Sequence, residues 1–435
     1  MKYHHDRLGA RIASSLLLSI CVVAFSGRTV LADGPRPTVN GKLTTVDGVK
    51  VLRIWGDPAE RGFAHGYLLA DEIIELFEDF LADERLSGGP EGFTAMSAKF
   101  RELMKIPKPY LAELRGIKAG LEAKKGGDIT ITALDRELTL RDLVAMNCIP
   151  DSIGIACSSF AAWGDLTPDR KTLSGRNLDW HEAKFLRTTQ IIVAHIPAKG
   201  APQNAWTSIT WPGMIICLTG MNEHGVTVSM HDVFDTRPSQ RNGFTPRGFC
   251  LRAAIEGADA GNVIDSVKAI LKKHVPIVGN NVPVSFPCEN NTASAVVFEY
   301  DGNKKRSRGV TVRRPHFKRD DKPRFIVATN DYHKRGSYSH CRRFETLLQT
   351  LETMGSSATG IEKKKVEAGF KMLGSVSMKS GYVTYHSVVF EPNDRRLSVS
   401  FSSPTDYAPN GNRVTIDLKK VLRRPTGQRQ RGANG

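Results

Sequence analysis

The residues best suited to chemistry in this 435-residue chain stand around one cysteine. Cys157 begins an apolar run that is typical of a strand, and after a polar turn a second run carries Arg176 and Asp179. Two antiparallel strands joined by that turn would place the end of the second beside the start of the first. A guanidinium near the sulfur would favour the nucleophilic thiolate, and a carboxylate there could accept hydrogen bonds from an ammonium or an amide. The alternative interpretation is that Cys157 is a buried core cysteine, which is a common environment for this residue.

The elements that must position these residues change in character at Cys157. Upstream, the alternation from Val49 to Trp55 predicts a strand, and apolar residues spaced three and four apart predict a mainly helical region up to about residue 150. Asp57 followed by Pro58 is a helix-start signal. Downstream, short β-rich runs separated by Gly, Pro, Asn or Asp predict a meander of strands. Because strands and helices fall in separate blocks, the sequence predicts an α+β fold rather than alternating βαβ units.

The segments Cys157-Ser-Ser-Phe160 and Gly175-Arg-Asn-Leu-Asp-Trp180 resemble the opening of the mature chain in the N-terminal-nucleophile (Ntn) linear-amide hydrolases. These include choloylglycine (bile salt) hydrolases, penicillin V acylases, acid ceramidase, N-acylethanolamine acid amidase, and peptidase family C45 with the acyl-CoA:6-aminopenicillanic acid acyltransferase. Further segments are similar to the family's motifs in the same order: Gly220–Val226, Ala328–Asn330, Cys341–Phe344 and Thr384–Phe390. Upstream, three more resemble the pro-segment of the C45 group: Arg61–Gly66, Glu113–Gly120 and Leu143–Asn147.

The resemblance implies a four-layer αββα sandwich with a helical N-terminal pro-segment. The chain would then comprise a signal peptide (1–32), a mainly helical leader (33–156), a catalytic chain (157–422) and a basic tail predicted to be disordered (423–435). An enzyme of this kind cuts its own precursor, here between Ala156 and Cys157. The freed α-amino group of Cys157 would act as the general base, because an α-amine titrates at about 7.7–8.0.

The resemblance also implies a role for each matching side chain. Arg176 would hold the thiolate, Asp179 would accept a hydrogen bond from the α-ammonium, and Arg343 would support the site. Asn222 would donate to the oxyanion of the tetrahedral intermediate, and Asn330 would contact that oxyanion or the acyl carbonyl. Other interpretations stay open: Asn222 lies in a turn where Asn is favoured anyway, Asn330 could cap a loop, and Arg343 could be a surface helix residue. No histidine is required, and no metal or cofactor is expected.

The chemistry that follows is acyl transfer through a thioester at Cys157, with a small-molecule acyl amide as partner. The first hypothesis is a hydrolase of linear amides, such as N-acyl amino acids, N-acyl lactones or lipid amides. The second is an acyltransferase on the same scaffold, in which an acceptor amine replaces water. The third is a catalytically silent exported binding protein on the same fold. The sequence does not indicate the acyl group or the oligomeric state.

The N-terminus has the organisation of a secretory signal peptide. Basic residues at positions 2, 7 and 11 precede an apolar run over 13–25, and Val30, Leu31 and Ala32 suit cleavage after Ala32. The alternative is a membrane anchor, for which this apolar run is too short. We therefore expect an exported protein, either periplasmic or secreted.

The formal net charge of +16 is concentrated in four basic runs, which are Lys304–Arg308, Arg313–Arg319, Lys363–Lys365 and Lys419–Arg431. These runs could contact an anionic cell-surface polymer, and the simpler interpretation is a solvated basic surface. No nucleic-acid motif accompanies them, so nucleic-acid binding is not expected. The cysteines lack CxxC spacing, which argues against a structural zinc site. Export permits disulfides, but a nucleophilic Cys157 would have to stay unpaired.

Overall fold

The computed structural model of the chain describes residues 37–233, 243–302, 309–315, 324–336, 340–356, 361 and 364–425. The predicted signal peptide, the basic run 304–308, parts of the runs 313–319 and 363–365, and the predicted tail beyond residue 425 lie outside the described residues. From Val39 onward the described residues belong to one compact unit. Within it, no described helix is both long enough and apolar enough to cross a membrane.

The strands are short, as the predicted meander requires. Those upstream of Cys157 or containing it are β1 (Gly41–Val46), β2 (Val49–Gly56), β3 (Thr130–Ile131), β4 (Arg136–Glu137) and β5 (Ala156–Ala162). The next are β6 (Leu173–His181), β7 (Ile191–Pro197), β8 (Trp206–Thr210), β9 (Thr219–Asn222), β10 (Thr227–Ser229), β11 (His231–Val233) and β12 (Gly279–Ser285). The last are β13 (Ala295–Tyr300), β14 (Val310–Arg313), β15 (Phe325–Ala328), β16 (Lys379–Ser380), β17 (Tyr382–Glu391), β18 (Arg396–Phe401) and β19 (Arg413–Asp417).

Most of these strands join two large sheets. The ten-stranded sheet has the order β1-β2-β7-β8-β9-β10-β12-β13-β14, with β11 also paired to β12. The seven-stranded sheet has the order β15-β5-β6-β17-β18-β19, with β16 paired to β17. β2 and β7 pair in parallel, whereas β5 and β6 are antiparallel. Because β1 and β2 join the ten-stranded sheet, the leader shares a sheet with the rest of the chain.

The helices fall into an upstream group and smaller downstream groups. The upstream helices are α1 (Pro58–Leu68), α2 (Ala70–Ala82), α3 (Glu84–Ser87), α4 (Gly89–Leu103), α5 (Lys108–Lys125) and α6 (Leu140–Cys148). The downstream helices are α7 (Lys184–Thr188), α8 (Arg247–Gly257), α9 (Val263–Lys273), α10 (Arg342–Ser356), α11 (Lys365–Ser375) and α12 (Leu418–Val421). The predicted start of α1 is confirmed: Asp57 forms a capping box with Glu60, and Pro58 occupies the first turn.

Apolar cores between the sheets and against the helices arrange these elements in four layers. One core lies between the ten-stranded sheet and the helices α1, α2, α4–α6, α8 and α9. A second lies between the two sheets, where Ile192 and Ile209 share a cluster with Val388 and Val399. A third lies between the seven-stranded sheet and the helices α10 and α11. The predicted α+β class and αββα sandwich are therefore confirmed, whereas the role of the leader as a pro-segment stays a prediction.

Two of the upstream segments identified in the sequence pack directly against each other as α1 and α5. The glycines of these helices let the two backbones come into contact. A Cβ atom on Gly62 would overlap the carbonyl oxygen of Glu113, and one on Gly120 would overlap that of Phe63. Since only glycine fits such a crossing, the spacing of these residues determines how the leader helices pack.

Candidate active site

Cys157 lies near the start of β5 with a fully buried side chain. The antiparallel register of β5 and β6 sets Ala156 opposite Asp179, which confirms the strand pairing that the turn predicts. The guanidinium of Arg176 consequently reaches the sulfur. Its Nη2 donates to Cys157 Sγ over 3.2 Å and to the carbonyl oxygen of Met230 over 2.9 Å. The structure thus brings together the cysteine, arginine and aspartate predicted from the sequence.

Asn330, which follows β15 closely, contacts the backbone on both sides of the Ala156–Cys157 peptide bond. Its Oδ1 accepts the backbone N–H of Cys157 over 2.9 Å. Its Nδ2 donates to the carbonyl oxygen of Ile155 over 3.0 Å and to that of Asp232 over 2.7 Å. One buried amide group therefore holds the orientation of the peptide bond that the sequence predicts to be cut.

Arg343, in the first turn of α10, joins these groups. Its Nη1 donates to the carbonyl oxygen of Cys157 over 2.6 Å and lies 3.4 Å from a carboxylate oxygen of Asp179. Its Nη2 donates to Oδ1 of Asn330 over 2.8 Å. The alternative interpretation of Arg343 as a surface helix residue is therefore not supported, since its side chain is only 20% exposed and faces the cysteine.

Asn222, the sixth predicted site residue, is placed differently. Its Oδ1 accepts the backbone N–H groups of His224 and Val226 over 3.0 Å each, which closes the turn after β9. Its Nδ2 donates over 3.1 Å to the carbonyl oxygen of Ile255, near the end of α8. Among the described residues, these contacts occupy the amide oxygen and one of the two Nδ2 hydrogens, and none of them involves Cys157. The geometry matches the turn interpretation of Asn222 and gives no support to an oxyanion role.

Two residues at the site carried no predicted role. The hydroxyl of Thr384 donates to Asp179 Oδ1 over 2.5 Å, and the carboxylate of Asp232 accepts the backbone N–H of Ile155 over 2.7 Å. Thr384 lies opposite Asp179 in the pairing of β17 with β6. Its segment was recognised in the sequence as a closing strand, but only the sheet order shows which residue it meets. For Asp232 the sequence contained no signal.

Burial governs the electrostatics of the site. Desolvation raises the pKa of the Cys157 thiol to about 11, although Arg176 opposes the shift. Desolvation likewise raises the pKa of Asp179 to about 6, against Arg343, the Thr384 hydrogen bond and Arg176. None of the described cysteines forms a disulfide, so this thiol is free. In this structure the thiol therefore stays protonated near neutral pH.

Two buried histidines stand near Arg176. The His386 Nε2 lies 3.3 Å from Arg176 Nη1, and His231 neighbours Met230, whose carbonyl oxygen accepts from the same guanidinium. Burial and the charge of Arg176 lower the pKa of both rings, so both stay neutral. Across the described parts of the chain, no group of three or more His, Cys, Asp or Glu side chains could hold a metal ion.

An apolar cavity adjoins the end of β6 at Trp180, the residue that follows Asp179. Both parts of the chain line it. The upstream residues are Leu76, Phe80, Leu86, Met146, Ile149 and Ile153, and the downstream residues are Trp180, Phe185, Leu186, Trp211 and Met214. A cavity with such walls suits an apolar group and offers little to a charged one.

Comparison with known sequences identifies a family. The model of the acyl-coenzyme A:6-aminopenicillanic acid acyl-transferase family matches residues 166–406. An uncharacterized protein of Archaeoglobus fulgidus is 25% identical over 363 residues, which cover 73% of this chain and 57% of that protein. Protein dcd1B of Dictyostelium discoideum is 25% identical over 203 residues, which cover 43% of this chain and 39% of that protein. The chain spans about half the length of these curated relatives.

Three of the solved structures that are similar to this chain have lower sequence identity to it. A Caenorhabditis elegans ortholog of N-acylethanolamine-hydrolyzing acid amidase has a TM-score of 0.40 and 19% identity, over 60% of this chain and 100% of that chain. A variant of the conjugated bile acid hydrolase of Clostridium perfringens has a TM-score of 0.40 and 14% identity, over 62% of this chain and 95% of that chain. The penicillin V acylase of Agrobacterium tumefaciens has a TM-score of 0.37 and 13% identity, over 61% of this chain and 87% of that chain.

Proposed function

The chain belongs to the acyl-coenzyme A:6-aminopenicillanic acid acyl-transferase family, and from this premise we propose that it is a self-cleaving amidohydrolase with Cys157 as nucleophile. The observation that carries the proposal is that the Cys157 residue is bound at three points. Its sulfur is bound by Arg176, its backbone N–H by Asn330 and its carbonyl oxygen by Arg343. A structural core cysteine needs no such set of polar contacts.

The first reaction would be the cut between Ala156 and Cys157. Cys157 Sγ attacks the Ala156 carbonyl carbon, the thiol proton passes to the Cys157 nitrogen, and a C–S bond replaces the C–N bond. Water then hydrolyses the thioester, which leaves a carboxylate on Ala156 and a free thiol and α-amine on Cys157. This cut supplies the missing base. The uncut thiol has a pKa of about 11, whereas an α-amine titrates at about 7.7–8.0 and can take the thiol proton near neutral pH.

The catalytic cycle would repeat this chemistry on a substrate. Cys157 Sγ attacks the amide carbonyl carbon while the α-amine takes the thiol proton and passes it to the leaving amine. A thioester remains, and water releases the acid. In this cycle we assign the stabilisation of the thiolate to Arg176, and the orientation of the α-ammonium to Asp179 with Arg343 beside it.

We assign the oxyanion contact to Asn330 rather than to Asn222. The Nδ2 of Asn330 donates to the Ile155 carbonyl oxygen in the uncut chain. When the new C-terminus at Ala156 moves away after the cut, this Nδ2 would be free to donate to a substrate. The described contacts of the Asn222 side chain are instead to its own turn and to α8. Removal of one such donor typically costs about 3–4 kcal/mol of transition-state stabilisation.

The apolar cavity beside Trp180 supports a substrate with an apolar acyl group, bound between leader and catalytic chain.

Acyl transfer to an amine is the second candidate function, and membership of an acyl-transferase family favours it. A panel of acyl amides with and without a primary amine acceptor separates the two. Hydrolysis predicts free acid in both arms, whereas transfer predicts the new amide whenever the acceptor is present. We further propose export, which an N-terminus beginning just after Ala32 in the purified protein would support.

Intact mass of the purified protein tests the proposal most directly. We expect two chains divided between Ala156 and Cys157, together with amide turnover. Cys157→Ala should give one chain and no turnover. Cys250→Ala is the matched control, because Cys250 is also fully buried but lies in α8 against Tyr300. A wild-type protein that stays a single chain after long incubation at several pH values contradicts the proposal and leaves the silent binding protein.

A further inference from the structure

The segment just upstream of the predicted cut is held by a buried arginine of α8. The guanidinium of Arg247 donates to the carbonyl oxygen of Pro150 and, over 3.1 Å, to the carboxylate of Asp151. The same carboxylate accepts the backbone N–H of Arg247 over 3.1 Å, at the start of α8, where a negative charge is favourable. These contacts attach the end of the leader to a helix of the downstream chain.

The same arginine holds a second carboxylate, which contacts the chain beside the scissile bond. Arg247 Nη1 donates to Asp232 Oδ1 over 2.5 Å. The other oxygen, Oδ2, accepts the backbone N–H of Ile155 over 2.7 Å. The carbonyl oxygen of Asp232 accepts from Asn330, which itself binds the backbone N–H of Cys157. A continuous chain of hydrogen bonds therefore runs from α8 to both sides of the Ala156–Cys157 bond.

We propose that Asp151, Asp232 and Arg247, which we call the Arg247 cluster, position the Ala156–Cys157 peptide bond for self-cleavage. The inference rests on the proposed function and adds to it a set of positioning residues that act on the uncut chain. The physical reason is orientation: an intramolecular attack needs the sulfur close to the carbonyl carbon, and a displacement of about 1 Å can slow it by about 100-fold. The cluster holds Ile155, the residue next to Ala156, and so limits the movement of that carbonyl.

The charge of the cluster fits a role in cutting rather than in holding the fold. One guanidinium faces two buried carboxylates, which leaves a net negative charge. Burial raises the pKa of Asp151 to about 6 and also raises the pKa of Asp232, although Arg247 opposes both shifts. The cut adds a further carboxylate, on Ala156, close to Asp232 in the chain of contacts. Repulsion between these like charges would favour departure of the cut end and oppose its return to the sulfur.

A second buried ion cluster provides the control. The Glu113 cluster (Arg61, Glu113, Arg252 and Glu256) also joins the leader to α8. Glu113 is fully buried, as Asp232 nearly is. The described hydrogen bonds of the Glu113 carboxylate go to Arg61 and Arg252 and not to residues 150–157. Loss of its charge should therefore impose a comparable folding penalty without a direct effect on the scissile bond.

The experiment follows cutting of newly translated full-length chain over time by gel and intact mass. We expect Asp232→Asn to form two chains about 100-fold more slowly than wild type, and Glu113→Gln to stay within about 3-fold of it. Amide turnover, normalised to the amount of cut protein, should be within about 3-fold of wild type for Asp232→Asn. Circular dichroism of each variant in the uncuttable Cys157→Ala background reports folding separately.

Wild-type rates of cutting in a folded Asp232→Asn variant would overturn the inference. A fall in turnover per cut molecule as large as the fall in the rate of cutting would also overturn the inference, since the Asp232 carboxylate would then act on the substrate. If Asp232→Asn fails to fold, Asp151→Asn decides, because Asp151 reaches the segment through Arg247: about 10-fold slower cutting supports the inference and an unchanged rate overturns it. Failure of the wild type to cut at all would instead contradict the proposed function.

Discussion

The two buried ion clusters that join the leader to α8 differ in their charge balance. In the Arg247 cluster one guanidinium serves two carboxylates, and the cluster borders the predicted cut. In the Glu113 cluster two guanidinium groups face two carboxylates, and the cluster lies among α1, α5 and α8. The first carries excess negative charge, whereas the charges of the second balance.

This difference appears in the pKa values of the carboxyl groups. Burial alone would raise the pKa of Glu113, but Arg252 and Arg61 outweigh it and hold that pKa below its ordinary value. Burial prevails for Asp151, whose pKa rises to about 6. A balanced cluster stabilises the fold over a wide pH range. A cluster with excess negative charge keeps carboxyl groups with raised pKa values in place, and such shifted pKa values are concentrated at functional sites of proteins.

The largest effect should come from breaking the balanced cluster. Arg252→Ala leaves Glu113 and Glu256 buried without their main partner, and loss of one member of a buried pair typically costs about 3–5 kcal/mol. Urea denaturation in the Cys157→Ala background measures this loss. The folded fraction of Arg252→Ala in the cleavable chain should still cut within about 3-fold of the wild-type rate. A folded variant that no longer cuts would erase the distinction between the clusters.

The two predicted oxyanion asparagines extend the comparison, because Asn330 adjoins the Arg247 cluster and Asn222 binds Ile255, next to Glu256 of the other. Asn330→Ala should slow self-cleavage by about 100-fold, because the Ala156–Cys157 peptide bond loses the amide group that orients it. Asn222→Ala should cut within about 3-fold of wild type and lose about 1–3 kcal/mol of stability from its broken turn. Cutting time courses and urea midpoints measure the two effects. Equal losses of cutting in the two variants would show that Asn222 also acts at the Ala156–Cys157 bond.

The smallest effect should appear in the pH dependence of stability. The pKa of Asp151 is about 6 when folded and about 3.9 in an unfolded chain, so between these values the folded state binds more protons. Stability should therefore rise as pH falls from 7 to 5, by about 1 kcal/mol from this group, while Glu113 stays ionised. Asp151→Asn in the Cys157→Ala background should reduce this rise, as read from urea midpoints at both pH values. A rise of unchanged size would assign the effect to other groups.

The sequence predicted local features of the fold and site well. The cap at Asp57 and the β5–β6 pairing depend on residues close in the chain, and both are confirmed. The motif order indicated Asn330 and Arg343, and the structure brings both to Cys157. Asn222 shows the limit of this approach: its motif is a turn in its own right, so the residue types alone could not separate a turn asparagine from a catalytic one.

The residues that the sequence did not reveal are those that approach the cysteine through sheet order. Thr384 meets Asp179 because β17 pairs with β6, although the two residues lie 205 positions apart. Asp232 reaches Ile155 across 77 positions. No periodicity or spacing records such pairings, since they depend on which strands the cores bring side by side.

By itself the sequence determined the local elements, the nucleophile candidate and the family, because caps, turns and strand pairs act between near neighbours in the chain. Only the tertiary structure decided which asparagine binds the Ala156–Cys157 peptide and which carboxylates surround Arg247. It also brought apolar residues from both sides of Cys157 in the chain together to line one cavity. The physical reason is that burial, and not residue type, sets the partners and the pKa values of these polar groups, and burial depends on the packing of all four layers.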